Sequence, residues 1–425
     1  MQEFFTTSTQ VKKKTDFDVI VAGGGMAGCS AALAAARNGS KVLLIEKLIN
    51  LGGLATSGMV IFYFPSLCTV AGKKIMGGLA EELLHVSIKY GHNTLHPDWK
   101  FGTEAVDEGI PYATMFSVPS FIVALDEALE EAGVTILFDS VCVDSIFEDG
   151  SCKGVIVENK EGRVFYGCKA LVDATGDVDL FHRTGAECLE NDKNYLSYWT
   201  QFITMDRMKD ALETDDIRKA VRYGEFGVGM EGRNYDGSTE RIAREYSIET
   251  GEEVSEFVFE GRRFLRKVLQ DMDTTKEMAM VVPNQAQYRT TRQIVGNYTL
   301  NNSDINKHFE DSIGYITSFD DIGEQLLEIP YSTLVTSSHK NMLTAGRTIS
   351  AIAKVREATR LIGSSAVTGE AAGLAASIAV QKGIDVNDVS VPELQEALTK
   401  GGVKIHFEDE QLLVLQRNVQ QDVKH

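Results

Sequence analysis

The sequence predicts an α/β protein with a parallel sheet, a β-meander and an inserted α+β domain. Three observations support this prediction. The first is a strand–turn–helix–strand succession over residues 17–46, which is typical of a βαβ unit. The second is a series of short β-rich runs over residues 134–174, separated by Gly, Asp and Asn. The third is a change to charge-dense sequence at about residue 206, after which core-like apolar patterns return.

Composition and charge restrict the class of protein. The chain has 425 residues, 43% of them hydrophobic and 24% charged, which suits two or three globular domains of about 150 residues and argues against disorder. Its net charge of −19 disfavours nucleic acid and anionic membranes as partners. The six cysteines form no C-x-x-C motif, so we expect no metal site.

Residues 1–16 lack a signal-peptide pattern, and no apolar run reaches the roughly 18–20 residues that span a bilayer. We therefore expect a cytoplasmic globular protein.

Local patterns predict the individual elements. Residues 17–22 are an apolar run, as in a strand buried on both faces. An Ala-rich stretch over 27–37 ends at Asn38 and Gly39, which is typical of a helix, and 41–45 form a second apolar strand. Further helices are predicted at 78–90, 120–132, 206–222, 256–272 and 364–381, and further strands at 134–138, 141–147, 153–158, 163–166, 169–174 and 341–346.

The same patterns divide the chain into parts. Residues 206–287 interrupt core-like sequence, so we interpret them as an inserted α+β domain, which we call the cap. The domain into which the cap is inserted contains the βαβ unit. It comprises residues 16–205, with a partly cap-like stretch at 59–118, and residues 288–390. Residues 391–425 form a C-terminal tail that we expect to fray at its end.

A glycine-rich turn joins the first strand to the first helix. Gly23, Gly25 and Gly28 fit the pattern G-x-G-x-x-G, in which the glycines permit a tight turn, close approach of a pyrophosphate and close helix packing. The helix N-terminus offers free N–H groups and a positive dipole end to phosphates. Glu46 ends the second strand, 46 − 28 = 18 positions after the last glycine, where a carboxylate can accept both ribose hydroxyls of an adenosine. This succession predicts a bound dinucleotide, either NAD or FAD.

Later glycine turns leave room for the longer of these cofactors. Residues 52–58 form a second glycine-rich loop just past Glu46, and residues 170–177 and 341–347 are each an apolar strand followed by a glycine turn. Turns at the carboxyl ends of parallel strands converge on one crevice. A cofactor that extends past the first βαβ unit would meet all of them there.

Several blocks of the chain resemble a known family. They are DVIVAGGGMAGCSAALAAAR at 18–37, LLIEKLINLGGLATSG at 43–58, LVDATGDVDL at 171–180, YRTTRQIVGNYTLNNSD at 288–304, EIPYSTL at 328–334, NMLTAGRTISA at 341–351 and TRLIGSSAVTGEAAGLAA at 359–376. In these blocks the chain resembles FAD-dependent oxidoreductases of the glutathione-reductase type. It is most similar to the FAD-dependent oxidoreductase family related to the fumarate reductase flavoproteins. The resemblance implies a Rossmann-like FAD-binding domain with FAD as its cofactor. Because family-like blocks flank the cap on both sides, we expect the cap to cover the flavin and to govern substrate choice.

The resemblance also implies which residues bind FAD. The residues implied for the adenosine and pyrophosphate end are Gly23, Gly25, Met26, Ala27, Gly28, Glu46, Lys47, Val141, Thr175, Gly176 and Asp177. Those implied for the path to the ribityl chain and the flavin are Gly52, Gly53, Leu54, Thr56, Gly346 and Arg347, the last pair standing where many flavoproteins have Gly-Asp. Thr368, Gly369 and Ala371 are implied to open, or to lie early in, a helix whose positive end faces the flavin.

Three arginines and a tyrosine are the candidates for acting on a substrate. Arg289, Arg292 and Arg360 lie in family-like blocks of an otherwise acidic chain, and a guanidinium suits a bidentate clamp on a carboxylate. The alternative for each arginine is a structural ion pair with a nearby acid. Tyr331 is the candidate to face the flavin, whereas none of the eight histidines has neighbours that define a role.

The leading hypothesis is an FAD enzyme that moves a hydride between flavin and a small, anionic or polar metabolite. An NAD-dependent dehydrogenase and a flavin-binding interaction protein without turnover are the alternatives. A tRNA-modifying flavoprotein is disfavoured by the charge of −19. No second G-x-G-x-x-G follows a predicted strand, so we expect a second small substrate, oxygen or a partner protein to reoxidise the flavin. A small molecule is the expected partner, and a homo-oligomer is left open.

Overall fold

A largely parallel sheet lies at the centre of the computed structural model, which describes residues 8–190, 194–227, 245–289, 291–317, 325–409 and 411. The described strands are β1 (Lys12–Lys13), β2 (Phe17–Ala22), β3 (Val42–Ile45), β4 (Phe62–Tyr63), β5 (Thr114–Met115), β6 (Thr135–Leu137), β7 (Val141–Glu148), β8 (Ser151–Asn159), β9 (Gly162–Asp173), β10 (Cys188–Glu190), β11 (Asn194–Tyr195), β12 (Ser197–Thr204), β13 (Val221–Gly227), β14 (Glu245–Tyr246), β15 (Glu277–Val281), β16 (Arg292–Ile294), β17 (Ser312–Thr317), β18 (Leu326–Pro330) and β19 (Met342–Thr344). The described helices are α1 (Met26–Arg37), α2 (Gly78–Ser87), α3 (Val118–Glu131), α4 (Asp179–Arg183), α5 (Met205–Thr214), α6 (Gly251–Asp271), α7 (Ala353–Thr359), α8 (Ile362–Lys382) and α9 (Val391–Lys400).

The central sheet has the parallel strand order β6-β3-β2-β9, and β19 pairs in parallel with the carboxyl-terminal end of β9. β7 and β8 add an antiparallel meander to the amino-terminal part of β9. The sequence predicts two runs, 163–166 and 169–174, where the structure has the single strand β9. β9 is a single strand because its amino-terminal part pairs with β8 of the meander and its carboxyl-terminal part continues without a turn to pair with β2 of the parallel sheet. The predicted α/β class with a parallel sheet and a β-meander is confirmed.

Alternate residues of β2 face two different cores. Val19 and Val21 belong to the core that contains the helices, whereas Ile20 and Ala22 pack in the core that contains the meander. A parallel sheet covered on both faces needs apolar side chains in both directions, which explains the apolar run over 17–22. The strand ends are then the edge at which a ligand can reach the sheet.

Helix α8 packs directly on α1 through glycines. A Cβ atom on Gly369 would lie 2.2 Å from the carbonyl oxygen of Ala27, and one on Gly373 would lie 2.1 Å from that of Ala31. The spacing of four places both glycines on one face of α8. Because α8 begins at Ile362, Gly369 lies about two turns inside the helix. Of its two expected places, the opening of the helix is therefore wrong, and Gly369 lies in the first half of the helix.

No single helix of the described residues is long and apolar enough to cross a bilayer. Helices α7 and α8 have that length and composition only when taken together, and they are bent by 82° relative to each other.

A second sheet lies in and next to the part of the chain predicted as the cap. Strands β13, β12 and β15 are antiparallel in that order, and Phe202 of β12 packs with Leu265 of α6. β12 precedes the boundary predicted at residue 206, so this sheet begins earlier in the chain than the change of composition. The helix predicted over 206–222 ends at Thr214, because Asp215 has left-handed backbone geometry with φ of 52°. The division into domains stays a prediction.

A second G-x-G-x-x-G pattern, formed by Gly227, Gly229 and Gly232, starts where β13 ends. The expectation that no such pattern follows a strand is therefore wrong, although Gly229 and Gly232 lie outside the described residues. β13 is antiparallel to β12, whereas the dinucleotide fingerprint requires a strand in a parallel βαβ unit. Among the described residues, β13 therefore does not belong to a parallel βαβ unit of the kind that binds a dinucleotide.

The chain after residue 390 begins with an ordered helix. α9 buries Leu394 and Leu398, and residues 403–409, which we call the C-terminal segment, follow it. The hydroxyl of Ser312 in β17 donates to the carbonyl oxygen of Ile405 at 2.7 Å. Residues 410 and 412–425, where the tail was expected to fray, lie outside the described residues.

Glu370 of α8 is a buried carboxyl group that makes the stability of the fold depend on pH. Its Oε2 accepts a hydrogen bond from the backbone N–H of Leu79 at 2.7 Å. Burial raises the pKa of Glu370 from 4.5 to about 8. Between these values the folded protein keeps a proton that the unfolded chain has lost. This group therefore lowers the free energy of unfolding as pH rises through that window, by up to about 1.4 kcal/mol per pH unit.

We expect Glu370→Gln to remove this pH dependence, because the amide stays neutral and its oxygen can still accept from Leu79. The measurement is chemical denaturation of both proteins at several pH values across the window. The variant should gain stability relative to the parent as pH rises. Equal pH slopes for the two proteins would contradict the assignment.

Candidate active site

An open cleft lies at the carboxyl ends of the parallel strands and holds about 990 Å³ of space, its mouth included. The residues expected to bind a cofactor that line it are Gly23, Gly25, Met26, Ala27, Glu46, Lys47, Gly52, Gly53, Leu54, Val141, Thr175, Gly176, Gly346 and Arg347. Glu46 follows β3 and Gly346 follows β19, and two strands lie between these. Three strand spacings correspond to about 14 Å. A ligand that touches both residues is therefore extended along the edge of the sheet.

The glycine turn after β2 forms a cradle. Gly23 has φ of +102°, and a Cβ atom on Gly28 would lie 1.8 Å from the carbonyl oxygen of Gly23, so a side chain at either position would strain the turn. Beyond Gly25 and its two chain neighbours, no atom of the described residues lies within 4 Å of the Cβ position of Gly25. The first turn of α1 contains no acidic residue. The open space beside Gly25 and the free N–H groups of α1 thus suit a phosphate.

Glu46 holds the next part of the cleft. Its carboxylate accepts hydrogen bonds from the backbone N–H of Gly24 at 2.6 Å and from that of Leu48 at 2.8 Å. Burial raises the pKa of this carboxyl, while the two N–H groups act in the opposite direction. Each oxygen can accept a further hydrogen bond, so Glu46 can bind the hydroxyl groups of a ribose at the end of β3.

The second glycine loop lies beside the first. The backbone N–H of Gly52 donates to the carbonyl oxygen of Gly24 at 2.8 Å, and Gly53 and Leu54 line the cleft after it. Thr56 is buried, and its hydroxyl donates to the carbonyl oxygen of Leu51. Its expected place on the path to the ribityl chain is therefore corrected: Thr56 closes its own loop and is not among the residues of the cleft wall.

Arg347 joins the turns after β9 and β19. Its Nη2 donates to Oδ1 of Asp177 at 2.9 Å and its Nε donates to the carbonyl oxygen of Gly176 at 2.5 Å. Burial opposes ionisation of Asp177, but Arg347 and the hydrogen bond from Thr291 together lower the pKa of this carboxyl. Asp177 is not among the lining residues and reaches the cleft only through Arg347. An arginine after Gly346 thus ties two cofactor-facing turns together.

Arg360 lies in the wall at the other end of the cleft. Its Nε and Nη2 donate to Oε2 of Glu357 at 2.8 and 2.6 Å, and 22% of its side chain is exposed. Burial lowers the pKa of Arg360, Glu357 raises it, and the nearby charges of Arg289 and Arg347 lower it further. Positive charge is therefore concentrated at this end of an acidic protein.

The amino end of α8 also reaches the cleft, through Ile362 and Ser365. Thr368 and Ala371 lie deeper in the helix and are buried. The Thr368 hydroxyl accepts a hydrogen bond from the backbone N–H of Gly346 at 2.9 Å. Of the two expected places, the opening of the helix is thus wrong for Thr368 and Ala371, which lie in the first half of α8 because the helix begins at Ile362. Thr368 acts on the cleft by holding the turn at Gly346.

The other catalytic candidates lie outside the cleft wall. Tyr331 is buried and its hydroxyl donates to the carbonyl oxygen of Val386 at 2.8 Å; burial raises the pKa of this phenol above its ordinary value. Its expected place facing the flavin is therefore corrected. Arg292 pairs with Asp179 at 3.2 Å, and Arg289 lies 3.5 Å from Glu357, so the structural ion pairs were the better expectation for these two.

Part of the cleft wall is formed by residues that the sequence motifs do not predict. The additional lining residues are Ile45, Ala55, Ser140, Cys142, Ala174, Asp179, Gln285, Ala345, Ile362 and Ser365. Most of them lie next to a predicted residue in the chain, so the predicted motifs are the signal that could have identified them. Gln285 has no such signal. It comes from the predicted cap and reaches the cleft because its backbone N–H donates to the carbonyl oxygen of Ser57 at 3.2 Å.

These features define a Rossmann-like protein that binds a dinucleotide. The cradle beside Gly25, the carboxylate of Glu46 and the extended cleft fit the phosphates, the ribose and the length of FAD. The chain belongs to the FAD-dependent oxidoreductase family, whose model matches residues 18–398. The predicted cofactor, FAD, and the predicted class of enzyme are confirmed, and the NAD-dependent alternative is set aside.

Curated relatives share part of the chain. It is 32% identical over 171 residues to a tRNA uridine 5-carboxymethylaminomethyl modification enzyme of Bacillus thuringiensis, which covers 38% of this chain and 24% of that enzyme. It is 27% identical over 169 residues to a thiamine thiazole synthase of Sulfolobus acidocaldarius, which covers 37% of this chain and 55% of that enzyme. The similarity thus spans about a quarter to about half of the length of these relatives.

Two solved structures align with most of this chain at low sequence identity. A geranylgeranyl bacteriochlorophyll reductase-like protein of Thermoplasma acidophilum has a TM-score of 0.44 at 15% identity, over 91% of this chain and 83% of that one. A p-nitrophenol 4-monooxygenase of Pseudomonas putida has a TM-score of 0.48 at 10% identity, over 94% of this chain and 92% of that one.

Proposed function

We propose that this FAD-dependent oxidoreductase transfers a hydride between its flavin and a small, anionic or polar metabolite. The observation that supports the proposal best is the position of Arg360. Its guanidinium lies in the cleft wall, where Glu357 engages Nε and Nη2. Within the described parts of the chain, Nη1 has no hydrogen-bond partner and remains able to donate to a substrate.

Electrostatics favour an anion at this position. The protein carries a net charge of −19, so an anionic metabolite is repelled by most of its surface. Screening at physiological salt limits useful attraction to about 8 Å. A local cation in the wall of the cleft therefore has to supply the attraction. Arg360, with Arg289 and Arg347 near enough to lower its pKa, supplies it.

The chain's own residues then bind and orient the reactants. Bound FAD supplies the hydride acceptor or donor. Glu46 and the cradle beside Gly25 would hold its adenosine and phosphates, and the amino end of α8 offers a positive dipole to the end of the cofactor nearest Arg360. Ile362 provides an apolar wall beside Arg360, which helps to exclude water. Arg360 would hold the substrate in a fixed orientation.

The predicted cap would select among substrates. Gln285 belongs to the predicted cap and lines the cleft, so an amide from that part of the chain can contact a substrate directly. We also propose that a second small substrate, oxygen or a partner protein reoxidises the flavin. The acidic surface supports a small molecule rather than nucleic acid as the partner, although one relative modifies tRNA.

The test is anaerobic reduction of the bound flavin by a panel of 2-hydroxy acids, 2-amino acids and dicarboxylates. Their primary amides, which lack the carboxylate charge, serve as matched controls. We expect at least one acid to bleach the oxidised flavin and its amide to react about a hundredfold more slowly, because it lacks the charge that Arg360 binds. Equal rates for acid and amide, or reduction by none of the acids, would overturn the proposal.

A further inference from the structure

A cluster of metal-binding side chains lies outside the cleft, at the hairpin formed by β17 and β18. It consists of His308, Glu328 and His406, and no member of it lines the cleft. We propose that this cluster binds a divalent transition-metal ion, best matched by Zn²⁺, and that the ion fastens the C-terminal segment to the hairpin. Two histidines and one carboxylate are a frequent zinc ligand set that leaves a fourth position for water.

Glu328 anchors the cluster. Its side chain is 0% exposed, yet it presents one oxygen to each histidine: Oε1 lies 2.7 Å from Nδ1 of His308, and Oε2 lies 3.1 Å from Nδ1 of His406. The backbone N–H of Phe309 donates to Oε2 at 2.8 Å. A buried carboxylate is costly without a compensating positive charge. A cation between the three side chains would supply that charge.

The spacing of the donor atoms is close to that of a zinc site. One donor atom from each residue lies within 4.8 Å of the others. Ligands at about 2.0–2.1 Å from a tetrahedral Zn²⁺ are about 3.3 Å apart. The His–Glu distances of 2.7 and 3.1 Å thus need to open by less than about 1 Å to admit the ion.

The surroundings of His308 point to a metal as well. Oδ1 of Asp409 lies 3.2 Å from Nε2 of His308, on the side of the ring opposite Glu328. A carboxylate on the second nitrogen fixes the tautomer that leaves Nδ1 free to coordinate, as in carboxylate–histidine–metal groups. The His308 ring also stacks on the Phe407 ring, and the two ring centroids are 4.1 Å apart. The two histidine side chains are 45% and 46% exposed, so an ion can reach them from solvent.

No local sequence motif describes such a site. Glu328 follows His308 by 20 positions, and His406 follows Glu328 by 78. The expectation of no metal rested on cysteine spacing alone. A ligand that joins residues so far apart closes a long loop of chain, which favours the folded state. Bound metal would therefore hold the C-terminal segment in place.

The test uses the full-length protein with FAD bound, stripped of metal by a chelator and desalted. We expect Zn²⁺ to bind with a stoichiometry of one in calorimetry and to raise the Tm. Co²⁺ should produce visible absorption bands of a four-coordinate site at wavelengths longer than the flavin absorbs. His406→Ala and His308→Ala should each weaken Zn²⁺ binding by about a hundredfold or more, and Asp409→Asn by about tenfold.

His96→Ala is the matched control. His96 is 46% exposed and lies 3.5 Å from Asp98, so it resembles His308, but it belongs to no group of three metal-binding side chains among the described residues. This variant should bind Zn²⁺ as the parent does. FAD absorbance and the Tm without metal report whether each variant is folded. Absence of Zn²⁺ binding in the parent, or unchanged affinity in folded His406→Ala and His308→Ala variants, would overturn the proposal and leave a hydrogen-bonded His–Glu cluster.

Discussion

Replacing Gly25 with valine is expected to abolish FAD binding and to leave the fold intact. Gly25 has φ of −70°, which valine adopts without strain. Beyond Gly25 and its two chain neighbours, no atom of the described chain lies within 4 Å of its Cβ position, so we expect the fold to accept the side chain. The pyrophosphate does not, because the branched side chain occupies the space in front of the α1 N–H groups. We expect the affinity for FAD to fall by at least about a hundredfold.

Gly251→Val is the matched control for this experiment. Gly251 opens α6, and its Cβ position is likewise clear of the described residues. The ratio of flavin to protein absorbance after purification, with the circular dichroism spectrum, measures both effects. The control should keep its flavin. A folded Gly25→Val protein with a full complement of FAD would show that the pyrophosphate does not lie at this turn.

The positions of the glycine turn and of Glu46 could be predicted because the backbone of the βαβ unit determines them. Gly23, Gly28 and Glu46 are fixed by a turn, a close helix packing and a strand end, and all three features follow from local sequence. The geometry of such a motif is nearly the same wherever the motif occurs. The predicted βαβ unit and its turn are therefore found at the expected positions.

The rest of the site depends on side-chain direction, which local sequence does not determine. Thr56, Thr368 and Tyr331 lie in family-like blocks, but each points to a backbone carbonyl or N–H group rather than into the cleft. Gly369 contacts a helix that lies more than three hundred positions earlier in the chain. Gln285 reaches the cleft through contacts with the loop at Ser57. These outcomes are set by packing between distant segments, so no periodicity or spacing indicates them.

Replacing Arg360 with lysine is expected to impair flavin reduction about a hundredfold and to leave the FAD content unchanged. In the structure one guanidinium serves two purposes: Nε and Nη2 hold Glu357, and Nη1 remains available in the cleft wall. A lysine ammonium is a single point charge, so pairing with Glu357 would draw it away from the substrate. Misplacement of a bound substrate by about 1 Å can slow its reaction by about a hundredfold.

The expected effect is on kcat/KM for reduction by the most active acid of the panel, measured under anaerobic conditions. The rate with the corresponding amide should change little, since that compound lacks the carboxylate that Arg360 binds. Arg37→Lys is the matched control, because Arg37 holds Glu82 with two nitrogens on the surface and lies outside the cleft wall. Since the lysine can still pair with Glu357, the Tm should fall only slightly. If Arg360→Lys were clearly destabilised but reduced its flavin at the parent rate, Arg360 would be a structural partner of Glu357, and the substrate's charge would have to be bound by another group.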